Sequence, residues 1–189
     1  MRSSPGTEMR RLVIATVLAA AGALGPFQSG PRALAASPEP VWSEVPWPFP
    51  MDQWGKGKAF ACKAADCGAQ VTVYIRAKIG FCNCSTGVAD DEELDRISDF
   101  ELLGSRAAPQ APGRAINVAW MKGRSRAFDA EGAMGTKVSA LSVGFNDRCD
   151  AIVATAVVAP GRAAEIEPAV LDFLNSRPVL GLAAVWLGL

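Results

Sequence analysis

The sequence predicts a single α+β domain, mainly antiparallel β-sheet with two helices packed on it and stabilised by disulfides. Three observations lead there. Short segments of alternating apolar residues are joined by loops with no regular strand-helix-strand rhythm, which favours an antiparallel sheet over a doubly wound one. Two other segments carry apolar residues at helical spacing. Five cysteines, Cys62, Cys67, Cys82, Cys84 and Cys149, follow a leader of the export type, and exported thiols tend to be paired.

That leader occupies residues 1–35. Arg2, Arg10 and Arg11 precede an apolar run over 12–24 broken only by Thr16 and Gly22, and Ala33-Leu34-Ala35 supplies small residues for cleavage before Ala36. The run is shorter than the roughly 20 apolar residues of a spanning helix and is closed by Gly25 and Pro26. Arg10-Arg11 lacks the flanks of a twin-arginine signal, and Met9 is an alternative start that leaves the mature chain unchanged. The expected location is the periplasm or the cell exterior, after cleavage near Ala35. Because the leader holds Arg2, Arg10, Arg11 and Arg32 against Glu8 alone, the other 154 residues keep 15 of the 19 basic and 18 of the 19 acidic side chains, a net charge of −3. Such a chain lacks the basic field of a nucleic-acid binder and any polybasic tract for anionic lipid. It is long enough to bury a core of its own.

Residues 36–58 are dominated by Pro38, Pro40, Trp42, Pro46, Trp47, Pro48, Phe49, Pro50 and Trp54, and proline resists both helix and central strand. This segment is expected to be an extended arm with its rings laid on its own domain, which spans 59–189. Residues 70–76 alternate Val71, Val73 and Ile75 with polar neighbours, and a turn near Ala77-Lys78 would lead into a second strand over 79–85, a hairpin carrying Cys82 and Cys84. On that strand the two cysteines would share a face, roughly 6 to 7 Å apart, too awkwardly for a mutual bond. Their partners should lie elsewhere, with Cys149 a candidate; two bonds and one odd thiol leave fifteen possible arrangements.

Asp90 with Glu93 forms a capping box ahead of Leu94, Ile97 and Phe100, which predicts a helix over 91–102. The acidic residues at its start suit the helix dipole and lack the loop and turn glycine of a calcium site. A second β region should place Ile116, Val118 and Trp120 on one face, turn or bulge at Gly123, and return over 126–130. A further strand puts Leu141, Val143 and Phe145 on one face, Asn146-Asp147-Arg148 turns, and the apolar 151–159 reads as a central strand. Ile166, Val170, Phe173 and Leu174 predict a helix starting near Glu167, with Pro168 in its first turn. The apolar tail, 179–189, is too short to cross a bilayer and is expected to complete the core as a strand or turn.

The chain has no histidine, which removes Ser-His-Asp and Cys-His systems, histidine bases and c-type haem attachment. No G-x-S-x-G, P-loop, G-x-G-x-x-G or C-x-x-C motif is present. Three chemistries stay in view. Cys62, Cys67, Cys82 and Cys84 could bind copper or zinc as thiolates, although their spacing is not a zinc pattern. Lys122, Arg124 and Arg126, alternating beside Trp120, are anion-binding candidates. Asp129, Glu131, Asp147 and Asp150 could supply a hydrolytic carboxylate pair if they converge. The balance favours an exported binding or accessory domain that is not a catalyst and needs no cofactor. A protein or small-molecule partner would be met through the Trp/Pro-rich arm or the apolar tail.

Overall fold

The computed structural model describes residues 40–103, 107–132 and 135–189, so the leader lies outside the described residues. Among the described residues eight strands form one wholly antiparallel sheet in the order β1-β2-β3-β8-β7-β6-β4, with β5 also on β6. In chain order these are β1 (Trp42–Val45), β2 (Lys58–Cys62), β3 (Val71–Lys78), β4 (Ala107–Pro109), β5 (Arg114–Val118), β6 (Met121–Glu131), β7 (Lys137–Asp147) and β8 (Asp150–Val158). Five helices rather than two accompany them: α1 (Ala64–Cys67), α2 (Asp91–Ile97), α3 (Phe100–Leu103), α4 (Ala163–Leu174) and α5 (Arg177–Leu187).

Residues paired across an antiparallel sheet share a face, so the register assigns every side chain to one of two layers. Ile75, Ala154, Val143 and Gly123 lie on the first face, Arg76, Val153, Gly144 and Arg124 on the second. The first face carries the main core, where Val73, Ile75, Leu141, Val143, Phe145 and Ile152 pack against Ile166, Val170, Leu174, Val179 and Ala183 of α4 and α5. The strand over 150–158 is central, as its uninterrupted apolar run requires, with β3 on one side and β7 on the other. On the second face Leu94 and Ile97 of α2, with Val88 and Cys82, cover Ala151 and Val153. That helix lies so close to the sheet that a Cβ on Gly144 would stand 2.8 Å from Ile97 Cδ1 and 3.0 Å from Leu94 Cδ1.

Several elements differ from expectation. Residues 79–85 form no strand, because β3 finds its partners in β2 and β8, and the chain from Ile79 loops back over the second face. The arm is not separate from the sheet: Trp42–Val45 pairs with β2, where Pro-free residues leave the donors intact. Its rings do lie on the domain, Trp42 stacking on Phe173 at 4.4 Å and Phe49 meeting Tyr74 at 4.8 Å. The predicted helix over 91–102 is split, since Ser98 is extended and bonds its hydroxyl back to the Leu94 carbonyl at 2.7 Å. Gly123 sits inside β6 instead of turning the chain; the turn is at Ala119-Trp120, where Ala119 has φ 51°. Trp120 therefore leaves the face of Ile116 and Val118 and is 61% exposed.

Helix α4 begins at Ala163, so Pro168 is interior to it. The tail is a helix, not a strand, with Pro178 in its first turn and Gly188 closing it in the left-handed region. Val179 and Ala183 pack inward while Val185 and Leu189 are exposed. Among the described residues no single helix is long and apolar enough to cross a membrane. Gly144→Val should lower the free energy of unfolding in urea by about 1–3 kcal/mol, because the added methyls collide with the underside of α2; an unchanged denaturation midpoint would remove the close approach of this helix as a constraint on the fold.

Candidate functional site

Charged side chains on the second face divide into those spent inside the fold and those left over. Arg76 and Lys78 alternate along β3 and point beneath the loop from Ile79, where both are buried. Arg76 grips Asp99 through two bonds, Nε to Oδ2 at 2.7 Å and Nη2 to Oδ1 at 2.6 Å, and Asp52 through Nη1 at 2.6 Å. Lys78 Nζ reaches the same Asp99 Oδ1 at 2.7 Å and lies 5.5 Å from the Trp54 ring. Burial opposes the charge of Asp52, but the bonds from Arg76 and from the Trp54 amide outweigh it and hold its carboxyl below the usual range. Sequence reading missed this cluster, because a polar strand face looks the same whether water or a loop covers it.

The anion candidates are split. Arg124 bonds Asp91 and the Gly113 carbonyl (2.9 Å), and Arg126 bonds Asp95 at 2.8 Å and the Ala111 carbonyl at 3.0 Å. Both are thus used to hold α2 and the chain before β5 against the sheet. Asp91 in turn accepts the Gly113 N–H on both oxygens, at 3.1 and 3.0 Å, and this bond, with Arg124 and Arg126, holds its carboxyl below the usual range. Lys122 alone of the three is exposed and, among the described residues, without a partner.

The carboxylate candidates do not converge. Asp129 and Glu131 lie at the far end of β6 from Lys122, and Lys122 pairs with Asn146 beside Asp147. Eight or so residues of strand, roughly 25 Å, separate the two pairs. Asp129 and Glu131 do border one 430 Å³ pocket with Lys137 and Pro160, but Asp129 accepts from Gln110 at 2.7 Å and Glu131 is also engaged. Asp150 accepts the Gly80 N–H at 2.6 Å.

The cysteines form two disulfides, Cys62–Cys67 and Cys84–Cys149, and leave Cys82 free and buried. Cys62 is paired with Val71 at one end of β3, whereas Cys149 occupies the β7–β8 turn beyond Ala151, which pairs with Lys78 at the other. The four thiolates proposed for copper or zinc are therefore divided between opposite ends of the sheet, roughly 20 Å apart. Among the described residues no group of three or more Cys, Asp or Glu is placed to hold a metal. Cys82 donates its thiol to the Arg148 carbonyl at 3.3 Å, and burial, with Glu93 and Asp150 nearby, pushes it up to about 11.

One surface keeps a cation and two hydroxyls without a partner among the described residues, Lys122, Ser85 and Thr86. At the end of the sheet where the β5–β6 and β7–β8 turns meet, a groove of about 340 Å³ is lined by Ser85, Thr86, Trp120, Lys122, Asn146 and Arg148, beside Cys84 and Gly87. No carboxylate lines it. Arg148 is 84% exposed and only 3.7 Å from Asp147, a loose pair in water. Three long-range ties hold the walls. The Cys84–Cys149 bond joins residues 65 apart. Asn146 Oδ1 accepts the Val88 N–H at 3.0 Å, with its amide donating to the Arg148 carbonyl at 3.0 Å. Asn175, at the end of α4, accepts the Ala119 N–H at 2.7 Å and so sets the backbone that presents Trp120.

Comparison with protein-family models, curated proteins and solved structures finds no match. Function must be argued from the site.

Two measurements probe this electrostatic layout. In denaturant without reductant, thiol titration should find one reactive group, absent in Cys82→Ser; the native protein at pH 8, where a thiol at about 11 is only about one part in a thousand thiolate, should react far more slowly. Four or five reactive groups would contradict the pairing. For Asp91, the folded carboxyl is the more acidic one, so its stabilisation is complete above an unfolded value of about 3.9 and is lost as pH falls through the folded value. Asp91→Asn should therefore cost about 1 kcal/mol at neutral pH, with the gap to wild type closing well below pH 4. A gap independent of pH would assign the loss to packing.

Proposed function

We propose that this chain is an exported, non-catalytic binding or accessory domain that receives an anionic ligand in the groove between its β5–β6 and β7–β8 turns. Export is supported by the leader over 1–35 and by two disulfides, which persist in an oxidising compartment. The observation that carries the binding reading is the contrast in use. Arg76, Lys78, Arg124 and Arg126 are each consumed by carboxylates within the fold, whereas beside the exposed Trp120 Lys122 has no acid partner among the described residues and Arg148 only the loose pair with Asp147.

A binding role also fits the investment in rigidity. A wall held by a disulfide and by side-chain bonds to two backbone turns loses little entropy on meeting a ligand. The surface supplies charge, hydroxyls and an aromatic ring, but no histidine and no paired acid to move a proton. Neither the thiolate nor the carboxylate alternative draws support from a specific contact.

The test is charge reversal. Wild type should bind at least one simple polyanion among poly-glutamate, polyphosphate and dextran sulfate by calorimetry at low salt, weakening as salt is raised. Lys122→Glu/Arg148→Glu should abolish that binding while leaving the thermal midpoint within a degree or two, because both side chains are exposed. Equal binding by the reversed variant would place any ligand elsewhere.

A further inference from the structure

We infer that the ligand of this groove is an acidic saccharide, a chain of sugar rings bearing carboxylate or sulfate groups, an inference that rests on the anion-binding reading above. The first step concerns which kind of anion the walls can take. Compact phosphates are usually cradled by converging backbone N–H groups at a glycine-rich turn or helix N-terminus. Here those donors are already committed: Ser85 and Thr86 N–H to Asn83 Oδ1 at 2.9 and 3.2 Å, Gly87 N–H to the Asn83 carbonyl at 2.7 Å, and Val88 N–H to Asn146. Along this wall an anion must be met by side chains. Lys122 and Arg148 supply two such contacts, and the second has the planar fork that matches a carboxylate or sulfate edge.

An aromatic ring lines the same groove as the two charges. Trp120 is 61% exposed on a turn whose backbone is held by Asn175, so its ring is presented as a platform without a protein neighbour stacked on it. The negative face of an indole receives the C–H face of a pyranose as it receives the edge of another ring. The Ser85 and Thr86 hydroxyls make no hydrogen bond within the described residues and are free to meet ring hydroxyls as donor or acceptor. The groove is also an open trough rather than a closed pocket. A small molecule needs most of its surface buried to be held, whereas a polymer can lay a few units across a trough and continue beyond it.

Other polyanions fit less well. A single aromatic and two cations on a chain of net charge −3 outside the leader make a poor nucleic-acid surface, which calls for a basic track with several stacking rings. An anionic bilayer is flat and is held by a cluster of several basic residues, whereas the groove offers two. An acidic peptide could satisfy Lys122 and Arg148 but offers Trp120 no flat C–H face.

The test uses calorimetry on the full mature chain with oligogalacturonate and heparin-derived oligosaccharides, against malto-oligosaccharide, poly-glutamate, inorganic phosphate and phosphatidylglycerol vesicles. An acidic saccharide should bind at least about tenfold more tightly than the neutral saccharide or poly-glutamate. Trp120→Ala should weaken the acidic saccharide about tenfold and leave any poly-glutamate binding unchanged, whereas Lys122→Ala and Arg148→Ala should weaken both. If poly-glutamate or vesicles bind as tightly as the saccharides, or Trp120→Ala has no effect, the saccharide assignment is overturned while the anion site stands. If no anion binds, both fall.

Discussion

The two-pronged grip of Arg76 on Asp99 is the interaction around which the second face of the sheet is assembled. It joins the interior strand β3 to the short link between α2 and α3, and the same guanidinium holds Asp52 of the N-terminal arm. With Lys78 also on Asp99, two cations and two carboxylates share a site in which three of the four side chains are nearly inaccessible. Charges of this kind are costly to bury, and a well-packed apolar set can replace them without loss of stability. What an apolar set lacks is direction. A planar fork closing on a carboxylate admits one orientation, so the arm, the α2–α3 link and the strand are brought to one register by a single residue. Removing one partner would strand the others in low dielectric, at about 3–5 kcal/mol.

From that junction the positions of the groove walls follow in order. Asp99 anchors the chain directly after α2, and α2 rests on Gly144, whose missing side chain admits Leu94 and Ile97. The loop that enters α2 carries Cys84, Ser85 and Thr86, and its path is closed by the bond to Cys149 and by Asn146. In the chain-entropy picture a crosslink over 65 residues removes about 4 kcal/mol of freedom from the unfolded chain. The opposite wall is set from the first face, by the carboxamide at the end of α4. A surface on one edge of the sheet is thus defined by groups that belong to both layers.

How much of this was legible in the sequence depended on whether the signal was local. Of the capping box at Asp90 and Glu93 one half is present, Glu93 N–H meeting Asp90 Oδ1 at 2.8 Å, while the Glu93 carboxylate accepts from the Asn83 N–H at 2.9 Å and from Arg96 instead of returning to the cap. Leu141, Val143 and Phe145 face one core, and the valine-rich run is the buried central strand, because period and hydrophobicity are properties of short stretches. Cys149 as partner to one member of the Cys82/Cys84 pair was also within reach. The strand expected over 79–85 was not there, since apolar residues in a covering loop produce the same pattern as a strand edge. The C-terminal helix looks like a strand or turn in the sequence because a continuous apolar run has no period to distinguish the two. Arg76, Asp99, Asn146 and Asn175 carried no local signal, their roles being set by partners 23 to 58 positions away.

The fate of Lys122, Arg124 and Arg126 shows how tertiary placement edits a sequence motif. All three project from the same face of β6 at alternate positions, and nothing in their spacing ranks them. The helix laid across that face has acids at Asp91 and Asp95, four residues apart and so on one side of it. They meet Arg124 and Arg126 and turn two potential ligand contacts into clamps. The helix extends no further over the strand toward its start, because the chain before Asp90 must first descend through Gly87 and Val88 onto Asn146. Lys122, which pairs with Asn146, is therefore left uncovered at the point where the β7–β8 turn contributes Arg148. A cationic stripe along one strand becomes a cationic pair across two turns, in a groove that it shares with Trp120 and the Ser85 and Thr86 hydroxyls.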